Sequence, residues 1–156
     1  MSALRTRATM RLLATFETVF AASAVYGGIS LAVGAPGFTM PVEWLAPLGL
    51  TSWVLPGIAL ALGIGGTLAW ASVFAWRIDF RAPLAALAAC GVLTGWLVIQ
   101  FGVIGVRAPV QWVTAGLVVV LLGLALLAQR RLDRAVIPCA HPEGRSSRRD
   151  VSPPYR

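Results

Sequence analysis

APLAALAACGVLTGWLVIQFGVIGVRAPVQWVTAGLVVVLLGLALLA, from Ala82 to Ala128, is the stretch that decides the fold. It consists of two apolar spans joined at the short hinge Gly105-Val106-Arg107-Ala108-Pro109. Each span can cross a bilayer, for which about 20 apolar residues suffice. Its strongly polar residues, Gln100, Arg107 and Gln111, all cluster near the hinge. A hinge this short makes the two helices antiparallel neighbours.

The same pattern recurs toward the N-terminus. Trp53 to Trp76, WVLPGIALALGIGGTLAWASVFAW, is a further span with Trp at each end, where an aromatic belt would lie. Between it and the Ala82 helix sits a tight charged turn, Arg77 to Arg81. Pro36 to Ser52 holds three prolines and two glycines and reads as a loop. Within it, Thr39 can cap one or two turns carrying Val42, Trp44 and Leu45, placing Trp44 at headgroup level. The first apolar run, Leu12 to Ala35, is broken only by Glu17. A signal peptide cleaved near Ala22-Ser23-Ala24 fits less well than a transmembrane helix. The run continues past that site, and Glu17 would interrupt the signal's apolar core.

These elements predict an all-α, four-transmembrane-helix bundle with spans at about 11–35, 53–76, 82–106 and 108–129. Residues 1–10 form a cytoplasmic N-terminus and 11–131 the transmembrane domain. The Arg-, Pro- and Ser-rich segment 132–156 is expected to be a disordered cytoplasmic tail. Composition agrees. The chain of 156 residues is 12% charged, against about 25% in a soluble domain, and its mean hydropathy is +0.79. The net charge of +7 does not indicate nucleic acid, because the basic residues flank apolar spans and form no face. All 13 are Arg, a skew that suits GC-rich coding and a high-GC bacterium. Arg5, Arg7, Arg11, Arg77, Arg81, Arg130, Arg131 and Arg134 fall on one side and Arg107 on the other. The positive-inside rule then puts both termini in the cytoplasm and the protein in the inner (cytoplasmic) membrane.

Lipid gives helices no hydrophobic reason to associate, so small residues should mark the contacts. Such stripes are Ala21, Ala24 and Gly28 in the first helix, and Ala59, Gly63 and Gly66 in the second. The third carries Ala88, Gly91, Gly95 and Gly102. They predict packing within one bundle, or a dimerisation face. On this reading Gly95 sits where backbones touch and Leu121 faces lipid.

Glu17 shares a face with Ala21 and Ala24 and should point into the bundle. An intramembrane carboxylate is a candidate site for a proton or a cationic ligand. The plainer alternative is a shallow residue paired with Arg77 or Arg81. Gln100 and Gln111 can bridge helices through their amides. They can also line an outward-facing ligand pocket with Trp96 and Trp112, closed over by the Trp44 loop. No catalytic constellation is visible. Cys139, His141 and Glu143 lack the spacing of a zinc site, and no cofactor motif occurs.

The runs SWVLPGIALALGIGG and GWLVIQFGVIGVRAPVQWVTAGLVVVLLGLALL resemble an uncharacterised family of small bacterial four-helix integral membrane proteins. The resemblance rests on Pro56-Gly57 opening the second helix, Trp96 and Gln100 late in the third, and Pro109 and Gln111 starting the fourth. It covers roughly Thr15 to Leu127 and implies architecture alone. In helix count the chain is also distantly similar to the DoxX-type proteins. Two function classes follow. One is a non-enzymatic membrane protein that binds a lipid or small molecule, or serves as an accessory subunit, with the bilayer and a second copy or complex component as partners. The other is a small cation or proton-coupled transporter using Glu17. It is suggested by a likeness to the small multidrug resistance family, also four helices with a Glu in the first.

Overall fold

The computed structural model describes residues 2–38, 40–106 and 109–136. Thr39, Arg107, Cys139, His141 and Glu143, and the tail from residue 137, lie outside them. The described chain is all-helical, with four helices long and apolar enough to cross a membrane. They are α1 (Ser2–Val33), α2 (Val54–Trp76), α3 (Ala82–Ile104) and α4 (Pro109–Val136). Leu12, Ile29, Leu62, Trp70, Val98 and Val119 are exposed around the bundle. A belt of that kind suits lipid and would aggregate in water. This is a multi-pass membrane protein.

The helices pack in a ring, α1 on α2, α2 on α3, α3 on α4, and α4 back on α1. Short turns join α2 to α3 and α3 to α4. A longer connection, with a 3₁₀ helix at Val42–Leu48, joins α1 to α2. One end of the bundle, the arginine end, carries the 77–81 turn. There the Arg131 guanidinium at the end of α4 donates 2.7 Å to the Arg5 carbonyl and also bonds the Thr9 hydroxyl of α1. The other end, the loop end, carries the 3₁₀ helix and the α3–α4 turn.

Three boundaries differ from the sequence expectation. α1 begins at Ser2, because Ala3, Leu4, Arg5 and Met10 are good helix formers with no Pro or Gly among them. Residues 2–10 are therefore part of the helix, and Thr9 and Met10 are buried in it. α4 runs on to Val136, past the point where a tail was expected. The turn in the α1–α2 connection is the 3₁₀ helix, preceded by Pro41 and closed by Gly49 at φ 66°.

Helix α2 is not uniform. Ala59–Gly65 is a π-helix set between the α-helical pieces Val54–Ile58 and Gly66–Trp76. Where the ladder narrows back to α, the Thr67 hydroxyl donates to the carbonyls of Gly63 (2.8 Å) and Ile64 (3.0 Å). Carbonyls freed inside a membrane need such partners.

The π segment also decides how α1 and α2 meet. A Cβ on Gly28 would lie 2.5 Å from the Gly57 carbonyl oxygen, and a Cβ on Gly57 would lie 2.5 Å from the Gly28 carbonyl oxygen. The two backbones touch there, so both positions require glycine. A Cβ on Gly65 would lie 2.6 Å from the Val25 side chain. The contact residues of α2 are therefore Gly57, Ala61 and Gly65, not Ala59, Gly63 and Gly66. The π turn takes about one residue more than an α turn, which keeps residues four apart on one line. Ala59, Gly63 and Gly66 are exposed, and a Cβ on Gly63 or Gly66 would meet nothing within 4 Å.

The α3 ridge is corrected in the same way. Ala88, Gly91, Gly95 and Gly102 are exposed, and none of the three glycines has a neighbour within 4 Å of a Cβ. The face of α3 that packs is Ala82, Ala85, Ala86, Ala89, Cys90 and Leu93. Leu121, read as lipid-facing, is 0% exposed. In α1, Ala21, Ala24 and Gly28 are buried.

Replacing Gly28 or Gly57 with Leu should unfold the bundle or lower its melting temperature in detergent sharply. Leu121→Ala should cost about 2 kcal/mol through the space it leaves, more than Gly95→Leu, which should be near neutral. Thermal denaturation of the purified variants would show it, and a Gly95→Leu loss larger than that of Leu121→Ala would contradict the assignment. In the 77–81 turn Ile78 is held at φ 56°, where a β-branched residue is strained by roughly 1–2 kcal/mol. Ile78→Gly should accordingly raise the melting temperature.

Candidate functional site

The bundle packs differently along its length. At the arginine end the core joins many small side chains, Ala14 of α1, Ala71 and Ala75 of α2, Ala82, Ala85, Ala86 and Ala89 of α3, and Ala125 and Ala128 of α4, to a few large ones, Met10, Leu13, Leu68 and Leu121. Toward the loop end the helices enclose a cavity of about 560 Å³.

Each element contributes one face. Helix α1 presents Phe16, Phe20, Ala24, Gly27 and Leu31, spaced by three or four residues as one helical stripe. From Phe16 to Leu31 this stripe is roughly 22 Å long at 1.5 Å per residue. Helix α2 gives Ala59, Leu60 and Ile64 from its π segment, with Trp53, Leu55 and Pro56 at its start. Helix α3 gives Leu93, Trp96, Ile99, Gln100 and Val103, and α4 gives Gln111, Val113, Thr114 and Leu117. The lining residues nearest the arginine end are Phe16, Ile64, Leu93 and Leu117, all apolar. Val19 and Ser23 of α1, Leu55 and Ala59 of α2, Ile99 of α3 and Val113 of α4 line the cavity and are also exposed on the bundle surface. The cavity is thus open to the bundle surface.

The α1–α2 connection covers the loop end. Phe38, Met40, Leu45, Leu48 and Leu50 line the cavity from above. Leu45 is 1% exposed and anchors the 3₁₀ helix. The Trp53 indole N–H donates 3.0 Å to the Met40 carbonyl, tying the connection to the start of α2.

The expected site residues separate here. Trp96, Gln100 and Gln111 all line the cavity. Trp112 does not: it is exposed, edge-on to Phe101 with ring centroids 6.2 Å apart. One residue's step around α4 from Gln111 turns it about 100° away. Trp44 is half-buried and is not among the lining residues, since Leu45 points in instead. Gln111 is 1% exposed, and its Nε2 donates 3.0 Å to the Gly105 carbonyl that ends α3. It therefore closes the α3–α4 turn. The Gln100 amide makes no hydrogen bond with the described residues and is half-buried at the cavity wall.

Glu17 lies deeper, in the packed half. It is 0% exposed, and neither carboxylate oxygen accepts a hydrogen bond. The expected pairing with Arg77 or Arg81 is not formed, because both arginines are exposed at the turn. Next to Glu17 in sequence, the Thr18 hydroxyl donates to the Ala14 carbonyl and accepts from the Trp76 indole at 3.0 Å. Cys90 of α3 is buried in the same core. Among the described residues no group of His, Cys, Asp and Glu could hold a metal ion.

Sequence reasoning missed the aromatic stripe Phe16 and Phe20, the plug residue Leu45 and the tie at Trp53. The stripe's spacing was visible, but nothing in it distinguishes a cavity wall from a packed core. No family model, curated protein or solved structure matches the chain.

Gln111→Leu removes the partner of the Gly105 carbonyl at a buried turn. An unsatisfied group of this kind costs about 1–3 kcal/mol. The variant should melt measurably lower in detergent; an unchanged melting temperature would show that the bond carries no weight.

Proposed function

We propose that this chain is a membrane protein that binds an apolar small molecule or lipid in the cavity between its four helices, without itself catalysing a reaction. The observation that carries the reading is the cavity itself. Its volume of about 560 Å³ falls in the range of ligand pockets, and its wall is apolar apart from a few amide, indole and hydroxyl groups at known places. Its opening to the bundle surface suits a ligand that arrives from the bilayer. A binding protein of this kind acts as a carrier, or as the lipid-binding subunit of a larger membrane complex.

The Arg distribution supports a bacterial inner-membrane location with both termini cytoplasmic. In that orientation the cavity belongs to the outer half of the membrane. A reporter active only in the periplasm, fused after Arg156, should then give no signal.

Gly27→Phe is the direct test of the binding reading. Gly27 lines the cavity, and a Cβ there meets only the end of the Leu60 side chain, at 4.0 Å. A phenyl ring would fit the bundle and fill the space. Binding of a hydrophobic fluorescent probe to the purified protein should fall at least about tenfold with the melting temperature kept, on the order of the burial of one aromatic ring. Equal binding by the variant would refute the reading.

A second reading is favoured by Glu17, a buried carboxyl with no hydrogen-bond partner. Such a group inside a membrane suits proton or cation binding, as in a small proton-coupled transporter. Proteoliposomes holding the protein should then accumulate a cationic dye when a pH gradient is imposed, and Glu17→Gln should abolish it. Absence of uptake by the wild type would dismiss this second reading.

A further inference from the structure

We propose that the cavity's ligand is an uncharged amphiphile whose hydrogen-bonding head is held by Gln100 and whose chain runs toward the arginine end. This rests on the cavity being a binding site and goes on to name the chemistry of its occupant. The first ground is the wall: among the described residues, no Asp, Glu, Lys, Arg or His side chain lines it. A charged head placed there would lose its water and gain no counter-charge.

The second ground is the uneven placement of polar groups. Gln100, Gln111 and Thr114 sit together near the α3–α4 turn, whereas Phe16, Ile64, Leu93 and Leu117 at the far end carry only hydrocarbon. The cavity has a polar end and an apolar end, as an amphiphile does. Gln111 is committed through its Nε2 to the Gly105 carbonyl. The Gln100 amide is not so committed, and offers both a donor and an acceptor to a ligand hydroxyl, ester or ketone. The third ground is access. The cavity is open to the bundle surface, at Val19, Ser23, Leu55, Ile99 and Val113 among its lining residues, so a chain can slide in from lipid without leaving the apolar phase. Gln100 and Leu93, at the far end of the cavity, are roughly 10 Å apart along α3, so the first part of a long acyl or isoprenoid chain lies in the cavity and the rest extends toward lipid.

The test uses the purified full chain in detergent and native mass spectrometry with four probes. Three share an oleoyl-length chain and differ in the head: monooleoylglycerol is neutral, oleate anionic and oleylamine cationic. The fourth, octadecene, has no head. Monooleoylglycerol should bind at least about tenfold more tightly than either charged probe. Gln100→Leu should weaken monooleoylglycerol about fivefold, the worth of one hydrogen bond, and leave octadecene unchanged. Octadecene binding also reports that the variant is folded. Equal affinity for neutral and charged heads would overturn the proposal, as would a Gln100→Leu variant that keeps full monooleoylglycerol affinity. Either result would leave the cavity reading standing if octadecene still binds. Failure of all four probes to bind would overturn both.

Discussion

The structure depends on the place where Gly28 of α1 and Gly57 of α2 touch through their backbones. Within lipid, helices gain little from hiding apolar side chains, so contact distance and dispersion decide which pairs associate. Two glycines facing each other give α1 and α2 a separation that no other residue pair would permit. The contact lies toward the loop end, level with the cavity. α1 is therefore held against α2 at that level, and the cavity lies between this pair and the facing sides of α3 and α4.

Alanine does the equivalent work at the other end. The small residues of the packed half draw all four helices together, and the Arg131 bonds to the Arg5 carbonyl and the Thr9 hydroxyl pin α4 to α1 there. A bundle closed at one end and parted at the other needs something over the open end. The 3₁₀ helix, anchored by Leu45 and tied by Trp53 to Met40, supplies it. Glu17 falls in the closed half, where its oxygens find no donor among the described residues. The polar chemistry of the bundle is thus split between an amide facing the cavity and a carboxyl sealed in the core.

The helices were legible because each is a long apolar run punctuated by charge or proline, and hydropathy is a property of local sequence. The placement of Gln100 was legible too, since an amide in a span must face protein or a polar ligand. Which small-residue stripe packs was not. Gly91, Gly95 and Gly102 have the right spacing on α3, yet they point outward, because the alanines on the adjoining face reach the neighbours first. On α2 an α-helical count selected Ala59, Gly63 and Gly66. The π segment turns the helix, and Gly57, Ala61 and Gly65 take the contact. Trp112 and Trp44 were one residue away from the lining positions Gln111 and Leu45. One step in sequence is a large rotation on a helix, and sequence alone does not fix which of two neighbours faces inward.

The four helices pack closely at the arginine end and enclose a lipid-accessible cavity toward the other. An experimental structure of the protein in a lipid nanodisc tests it most directly. Elongated density lying along the Phe16–Leu31 stripe and reaching Gln100 is the expected result. Side-chain contact along the whole bundle, with no space between Phe20, Gln100 and Leu117, would contradict it.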